Sequence, residues 1–153
     1  MPVLKGIHPL LTADLLHALA SMGHGDELAI VDANFPSVSV GRRVIGLPGA
    51  NAPDALAAIL TVFPLDTVAQ PAAFTMEVAG DPHAVPEPVA AFAAVLTHCG
   101  LADAEISALE RQAFYERARR AFVVVRTGEL RRYGNVLLVK GVVNRYEPLP
   151  PQK

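Results

Sequence analysis

Three short runs of apolar residues restrict most strongly what this chain can fold into. They occupy residues 28–31, 122–125 and 136–139, and each has the length of a strand. A strand that is apolar on both sides belongs inside a sheet covered on both faces. Amphipathic helical segments alternate with these runs, without an internal repeat or a second zone of composition. The sequence therefore predicts a single three-layer α/β domain, with a mixed, mostly parallel sheet covered by helices on both faces.

Capping and proline signals place the helices. The first helix is predicted over 13–22, where Thr12 can cap the free amides and Gly23 can form a left-handed exit. Asn51 can cap a second helix, which ends before Pro64. The other predicted elements are a third helix over 86–99, one long helix over 103–121, and weaker strands over 38–45 and 74–78.

The composition narrows the class of protein. Apolar residues make up 52% of the 153 residues and charged residues 18%. This apolar excess predicts deeply buried strands together with a large subunit interface. The apolar runs break well before the ~20 residues that a membrane span needs. The net charge is −2 and the basic residues form no long block, which gives no support to nucleic-acid binding.

The single cysteine and the first residues bear on the compartment. Cys99 is the only cysteine, which fits a reducing compartment, and it extends the apolar stripe of the third helix, so we expect a buried thiol. The N-terminal residues lack the apolar core of a signal peptide, which favours the cytoplasm. We expect one domain over residues 1–143 and an extended tail over 144–153.

A histidine between two glycines is the first candidate for chemistry. Gly23 and Gly25 permit a tight turn and leave room for a ligand beside His24. Histidine can both give and take a proton near neutral pH. The structural alternative is a turn histidine held by a backbone carbonyl group.

Asp32 is the second candidate, because it leaves the end of an apolar strand. Ligands of α/β sheets bind beyond the carboxyl ends of the strands. The alternative is a loop acid that caps the turn at residues 33–34. If extended, the segment from His24 to Asp32 spans roughly 26 Å, a distance that one small ligand cannot bridge. Either His24 folds back over the strand, or a neighbouring subunit completes each site.

The segment Tyr133-Gly134-Asn135 precedes the last predicted strand and can contact a ligand. Tyrosine and asparagine supply donors and acceptors of fixed direction for neutral hydroxyl groups, and Gly134 permits close backbone approach. Arg111 can present a planar fork to neighbouring hydroxyl groups. The alternatives are an ordinary turn and a solvated arginine paired with Glu110 or Glu105.

The sequence carries no cluster with metal-ligand spacing, phosphate loop, nucleophile elbow or dinucleotide fingerprint. Chemistry with histidine, aspartate, tyrosine, asparagine and arginine alone is proton transfer on a polar substrate.

Several short motifs follow one another in a characteristic order along the chain. They are Met22-Gly23-His24-Gly25-Asp26-Glu27, Asp32-Ala33, Phe35-Pro36, Phe114-Tyr115-Glu116-Arg117, Thr127-Gly128-Glu129 and Tyr133-Gly134-Asn135. This order resembles the sugar mutarotase family that contains L-fucose mutarotase and D-ribose pyranase, and the similarity covers essentially residues 3–143.

The resemblance implies a function and assigns residues to it. His24 would be the catalytic proton donor and acceptor, and Asp32, Arg111, Tyr133 and Asn135 would bind the sugar, with Gly134 contributing backbone. The family interconverts α and β anomers through a ring-opened aldehyde and uses no metal or organic cofactor. Its members form ring-shaped homo-oligomers, typically decamers, with sites near subunit contacts. The alternatives are a pyranase of the D-ribose type and a non-catalytic sugar-binding protein linked to uptake.

Five positions favour the L-fucose branch over the D-ribose branch. The D-ribose branch tends to have Thr at Gly25, Gly-Leu at residues 34–35, His at Arg111 and Ala at Gly134. This chain has the fucose-type residue at each position. One residue departs from that branch, because Gln112 replaces the aromatic residue that often follows Arg111.

Overall fold

The computed structural model describes residues 3–148, which form one six-stranded sheet with helices on both faces. The strands are β1 (Glu27–Val31), β2 (Val44–Leu47), β3 (Ala73–Met76), β4 (Ile106–Leu109), β5 (Val123–Thr127) and β6 (Val136–Val139). The helices are α1 (Ala13–Ser21), α2 (Ser37–Val40), α3 (Ala52–Leu60), α4 (Glu87–His98) and α5 (Arg111–Arg120).

The strand order β2-β5-β1-β6-β3-β4 explains where a ligand can approach. Strand β6 runs antiparallel to both of its neighbours, whereas the other pairs are parallel. The carboxyl ends of β1 to β5 therefore meet the amino end of β6 at one edge, which we call the carboxyl edge. The opposite end of the sheet is the amino edge. The predicted mixed, mostly parallel sheet is confirmed.

Alternating side chains of the central strand build two cores. Leu28 and Ile30 of β1 pack with α1, α3 and α4, whereas Ala29 and Val31 pack with α2 and α5. All four side chains are fully buried, as the continuous apolar run requires. The predicted three layers are present.

Two predicted caps are confirmed, but the predicted exit of α1 is wrong. Thr12 Oγ1 accepts a hydrogen bond from the Leu15 N–H at 3.2 Å, and Asn51 caps α3 in the same way. Gly23 does not take a left-handed conformation, and α1 ends in the extended residue Met22. The Lys140 ammonium group donates to the carbonyl oxygen of Met22, so the end of the helix needs no glycine turn.

The predicted strand over 38–45 is wrong in its first half. Residues Ser37–Val40 form the short helix α2, which follows Pro36 and ends when the Gly41 N–H bonds to the Ser37 carbonyl oxygen. Only β2 (Val44–Leu47) pairs with the sheet. The spacing of the apolar residues in this segment fits a helix as well as a strand, and Pro36 favours the start of a helix.

The predicted long helix over 103–121 is also wrong. Residues 106–109 form β4, which pairs with β3 in parallel. The Glu110 backbone is extended, and its carboxylate accepts hydrogen bonds from the Gln112 and Ala113 N–H groups, so α5 begins at Arg111. An acidic cap inside the periodic segment separates a strand from a helix.

The expected buried thiol is a fourth correction. Cys99 is exposed, because α4 ends at His98 and Cys99 already leaves the helical conformation. Phe92 and Leu96 supply the buried stripe of this helix, whereas Ala93 is exposed.

The boundary between the domain and the tail stays a prediction. Residues 144–148 are exposed, without helix or strand, and residues 1–2 and 149–153 lie outside the described residues. No helix within 3–148 has the length and the apolar character needed to cross a membrane.

Candidate active site

A cavity of about 250 Å³ opens at the carboxyl edge of the sheet. Its wall combines residues that follow β1 and β3, the first turns of α5 and the loop before β6. Four predicted site residues line it together, namely Asp32, Arg111, Tyr133 and Asn135, and much of the remaining wall comes from Phe35, Met76, Glu77 and Tyr115. The fold thus gathers residues that lie up to about a hundred positions apart in the sequence.

Asp32 is held at the base of this arrangement and is only 7% exposed. Its N–H donates to Asn135 Oδ1 at 2.9 Å, and its own Oδ1 accepts from the Asn34 N–H at 2.9 Å. The capping role that the sequence left open is therefore present, and it fixes the orientation of the carboxyl group. Burial raises the pKa of Asp32, whereas hydrogen bonds from Asn34 and Asn135 lower it. The net shift of this pKa is upward, because burial is the largest of these contributions.

The segment before β6 approaches the cavity closely. Tyr133 has a left-handed backbone with φ of 63°, and its hydroxyl oxygen accepts from the Ala79 N–H at 3.1 Å. A Cβ atom on Gly134 would lie 2.6 Å from Glu129 Cγ, so only glycine fits there without a shift. Gly134 itself does not line the cavity, so its expected backbone contact with a ligand stays a prediction.

An ion pair between a buried carboxylate and a partly exposed arginine fixes that loop. The Glu129 carboxylate is 3% exposed and accepts three hydrogen bonds from Arg131 and one from the Ala52 N–H. The Glu129 carbonyl oxygen also accepts from the Ala33 N–H at 2.8 Å. The Arg131 guanidinium group lowers the pKa of Glu129 to about 2. One residue therefore connects the start of α3, the exit of β1 and the loop before β6.

Arg111 is the first residue of α5 and lines the cavity. Its Nε donates to the Tyr115 hydroxyl oxygen at 3.2 Å, and Tyr115 packs edge-on against Phe35. Arg111 forms no ion pair with Glu110 or Glu105, since the Glu110 carboxylate caps α5 instead. Gln112 also bonds to this cap through its N–H and does not line the cavity. Gln112, the residue at which this chain differs from the L-fucose branch, thus lies outside the cavity wall.

His24 lies at the other end of β1, on the amino edge. Its Nε2 is 3.3 Å from Asp66 Oδ2, and the His24 side chain is 60% exposed. The partner is thus a carboxylate and not the backbone carbonyl group that the sequence left open. The N–H groups of Val68 and Ala69 lower the pKa of Asp66. Because an ionised carboxylate only accepts, this contact favours the tautomer of the neutral ring with the proton on Nε2, which leaves Nδ1 as an acceptor.

Two glycines shape the surroundings of His24. Gly25 has φ of 86°, and its N–H donates to the Lys140 carbonyl oxygen at 2.9 Å. A Cβ atom on Gly141 would lie 2.8 Å from the Leu65 carbonyl oxygen, next to Asp66. Beside His24 opens a groove of about 440 Å³ that is lined mainly by the apolar residues Leu16, Leu19, Val62, Phe63, Val142 and Val143.

His24 and Asp32 are thus separated by the whole length of β1. Five residues of strand span about 16 Å, and the cavity and the groove share no lining residue. His24 does not fold back over the strand. Within residues 3–148, no three histidine, cysteine, aspartate or glutamate side chains come together as metal ligands.

The comparison with known families matches residues 5–143 to the RbsD / FucU transport protein family. This chain belongs to that family. A fucose mutarotase from Danio rerio is 45% identical over 148 residues, covering 94% of this chain and 96% of the relative. A fucose mutarotase from Bos taurus is 44% identical over 150 residues, with the same coverage. The solved structure of a fucose mutarotase from Streptococcus pneumoniae in complex with L-fucose is 38% identical, covers 92% of this chain and 99% of that chain, and superposes with a TM-score of 0.85.

Sequence analysis of this RbsD / FucU family member missed several residues of both edges. Tyr115 lies in the recognised Phe114-Tyr115-Glu116-Arg117 motif, so the motif could have directed attention to it. Asp66, 42 positions from His24, and Glu77 carry no spacing signal. Glu129 lies in the Thr127-Gly128-Glu129 motif, and only the fold reveals its ion pair with Arg131.

Proposed function

We propose that this protein is an isomerase, a sugar mutarotase that interconverts the α and β anomers of L-fucose or a closely related monosaccharide. The observation that carries the proposal is the cavity in which Asp32, Arg111, Tyr133 and Asn135 converge at the carboxyl edge. These groups offer directed donors and acceptors to the hydroxyl groups of a neutral sugar. The names of the relatives and the bound L-fucose of the Streptococcus pneumoniae protein support the choice of sugar.

The reaction needs only the movement of protons. A base removes the proton of the anomeric hydroxyl group while an acid protonates the ring oxygen, and the bond between the anomeric carbon and the ring oxygen breaks. The carbonyl group of the resulting aldehyde turns, and the reverse transfers close the ring on its other face. A histidine is suited to both transfers near neutral pH, and we assign this role to His24. Asp32, Arg111, Tyr133 and Asn135 bind the sugar, and the Gly134 backbone contributes.

His24 acts, in this proposal, on the sugar bound by a neighbouring copy. The length of β1 keeps the two edges of one chain apart, and contact between the amino edge of one copy and the carboxyl edge of the next would bring them together. When such a head-to-tail contact repeats from copy to copy and the last copy meets the first, the copies form a ring. Burial of the apolar groove beside His24 favours this contact. We propose a homo-oligomeric ring, with ten subunits as in the family resemblance, in the cytoplasm.

Asp66 supports His24 by fixing its tautomer. With Nε2 donating to the carboxylate, the exposed side of the ring presents Nδ1 as a base. The carboxylate also stabilises the ring when it gains a second proton, as an orienting acid does in other proton-transfer sites.

Saturation-transfer NMR tests the proposal. The protein should accelerate exchange between the α and β anomeric protons of L-fucose, and His24→Ala should abolish the acceleration. Exchange of the ring forms of D-ribose without an effect on L-fucose would instead identify a pyranase, which uses the same ring opening. Binding of sugar without exchange in either case would indicate a non-catalytic sugar-binding protein.

A further inference from the structure

Glu77 occupies a fixed position in the cavity wall directly after β3. Its N–H donates to the Leu109 carbonyl oxygen at 2.8 Å, which extends the pairing of β3 with β4 by one residue. Two residues later, the Ala79 N–H donates to the Tyr133 hydroxyl oxygen at 3.1 Å. The short segment that begins with Glu77 is thus held at both ends, one of them by a predicted sugar-binding residue.

Among the acidic side chains of this wall, Glu77 is the one whose carboxylate oxygen atoms accept no hydrogen bond within residues 3–148. Glu77 is half-buried and lines the cavity together with Asp32. Within residues 3–148, its carboxylate takes part in no hydrogen bond or ion pair, although Arg111 and Arg132 line the same cavity. By contrast, Asp32 already accepts from Asn34, and the buried Glu129 carboxylate accepts four hydrogen bonds.

We propose that Glu77 is a further substrate-binding residue, which accepts hydrogen bonds from hydroxyl groups of the sugar and contributes to the choice of sugar. A sugar that enters the cavity removes water from this carboxylate, and the lost hydrogen bonds must be replaced. The two oxygen atoms of a carboxylate can accept from neighbouring hydroxyl groups. A sugar without the right hydroxyl group leaves a desolvated carboxylate unpaired, which discriminates strongly against it.

The inference rests on the proposed function, because it assumes a sugar in this cavity. It is tested with Glu77→Gln, which keeps the shape of the side chain but removes the charge. Glu105→Gln is the matched control, since Glu105 is an exposed glutamate directly before β4, at the amino edge of the sheet. Affinity for L-fucose is measured by titration calorimetry, and exchange by saturation-transfer NMR.

We expect Glu77→Gln to weaken L-fucose binding about tenfold, with kcat within about twofold of the original and with Glu105→Gln unchanged. A set of single-deoxy analogues of L-fucose sharpens the test. For the analogue that lacks the contacted hydroxyl group, the original protein and Glu77→Gln should bind equally. A merely structural role for Glu77 would weaken all analogues by the same factor.

Equal L-fucose affinity of Glu77→Gln and the original protein would overturn the inference. If Glu77→Gln fails to fold, Glu77→Asp replaces it, because the shorter side chain keeps the charge but withdraws the oxygen atoms, and it should also weaken binding. If the original protein binds L-fucose but does not accelerate exchange of its anomers, the proposed mutarotase function is refuted. The comparison of L-fucose affinity between the original protein and Glu77→Gln remains valid in that case.

Discussion

The two edges of the sheet differ in how their polar groups are held. At the carboxyl edge, Asp32 and Asn135 are nearly fully buried and bonded to each other. At the amino edge, His24 is exposed beside an apolar groove, and among residues 3–148 its one polar partner is Asp66. The first arrangement is suited to fix a sugar, and the second leaves a proton-transfer group free to meet something from outside the chain. The proposed mechanism therefore divides sugar binding and proton transfer between the two ends of β1.

The largest effect is expected at the amino edge, from His24→Ala. Loss of a general acid–base group should slow L-fucose exchange by about 10²–10⁴-fold, as measured by saturation-transfer NMR. Sugar binding by the carboxyl edge should persist, so L-fucose at 100 times its Kd should still stabilise the variant by about 2.7 kcal/mol in thermal unfolding. His17→Ala, an exposed histidine of α1, is the control. An unchanged rate of L-fucose exchange in His24→Ala would contradict the assignment of proton transfer to the amino edge.

Asp66→Asn tests whether the tautomer of His24 matters. The amide can donate as well as accept, so Nε2 no longer has to carry the proton, and exchange should slow by about tenfold to a hundredfold. L-fucose affinity should remain, since Asp66 lies on the edge opposite the cavity. Asp103→Asn, an exposed acid before β4, serves as the control. Equal kcat for both variants would show that His24 works without Asp66.

Glu129 should make the carboxyl edge sensitive to acid. Its folded-state pKa of about 2 lies below the ordinary value of 4.5, so its contribution is present above about pH 4.5 and is lost as the pH falls toward 2. We expect Glu129 to contribute about 2 kcal/mol to the free energy of unfolding, after allowance for solvent screening of the partly exposed Arg131.

The free energy of unfolding, measured between pH 2 and 7, should therefore depend less on pH in Glu129→Gln than in the original protein. Glu116→Gln is the control, because its ion pair with Arg119 is exposed on both sides. A pH dependence identical in Glu129→Gln and Glu116→Gln would contradict the contribution assigned to the buried pair.

The smallest effect concerns the packing of the loop before β6. Gly134→Ala places a Cβ against Glu129 Cγ and should lower the free energy of unfolding by about 1 kcal/mol. L-fucose affinity should fall with it, because Tyr133 and Asn135 flank the clash. Gly49→Ala meets no atom within 4 Å and should change neither quantity. Denaturant unfolding and calorimetry provide both measurements, and equal behaviour of the two variants would show that the loop adapts freely.

The sequence predicted the central strands because their apolar runs are short and unambiguous. It failed over 103–121, where the spacing of apolar residues fits a helix as well as the strand β4, and only pairing with β3 decides. Asp32 could be recognised from its place at the end of an apolar strand. Asp66 could not, since its relation to His24 arises from the bridge between Leu65 and Lys140, which joins distant parts of the chain.

Mixing two inactive variants tests most directly that one site uses both edges of neighbouring copies. His24→Ala keeps the cavity, and Asp32→Asn keeps the histidine. If they are dissociated, combined in equal amounts and reassembled, random head-to-tail contacts should restore about a quarter of the original L-fucose exchange. Each variant treated alone should stay inactive. No recovery in mixed oligomers would contradict the account and place the complete site within one chain.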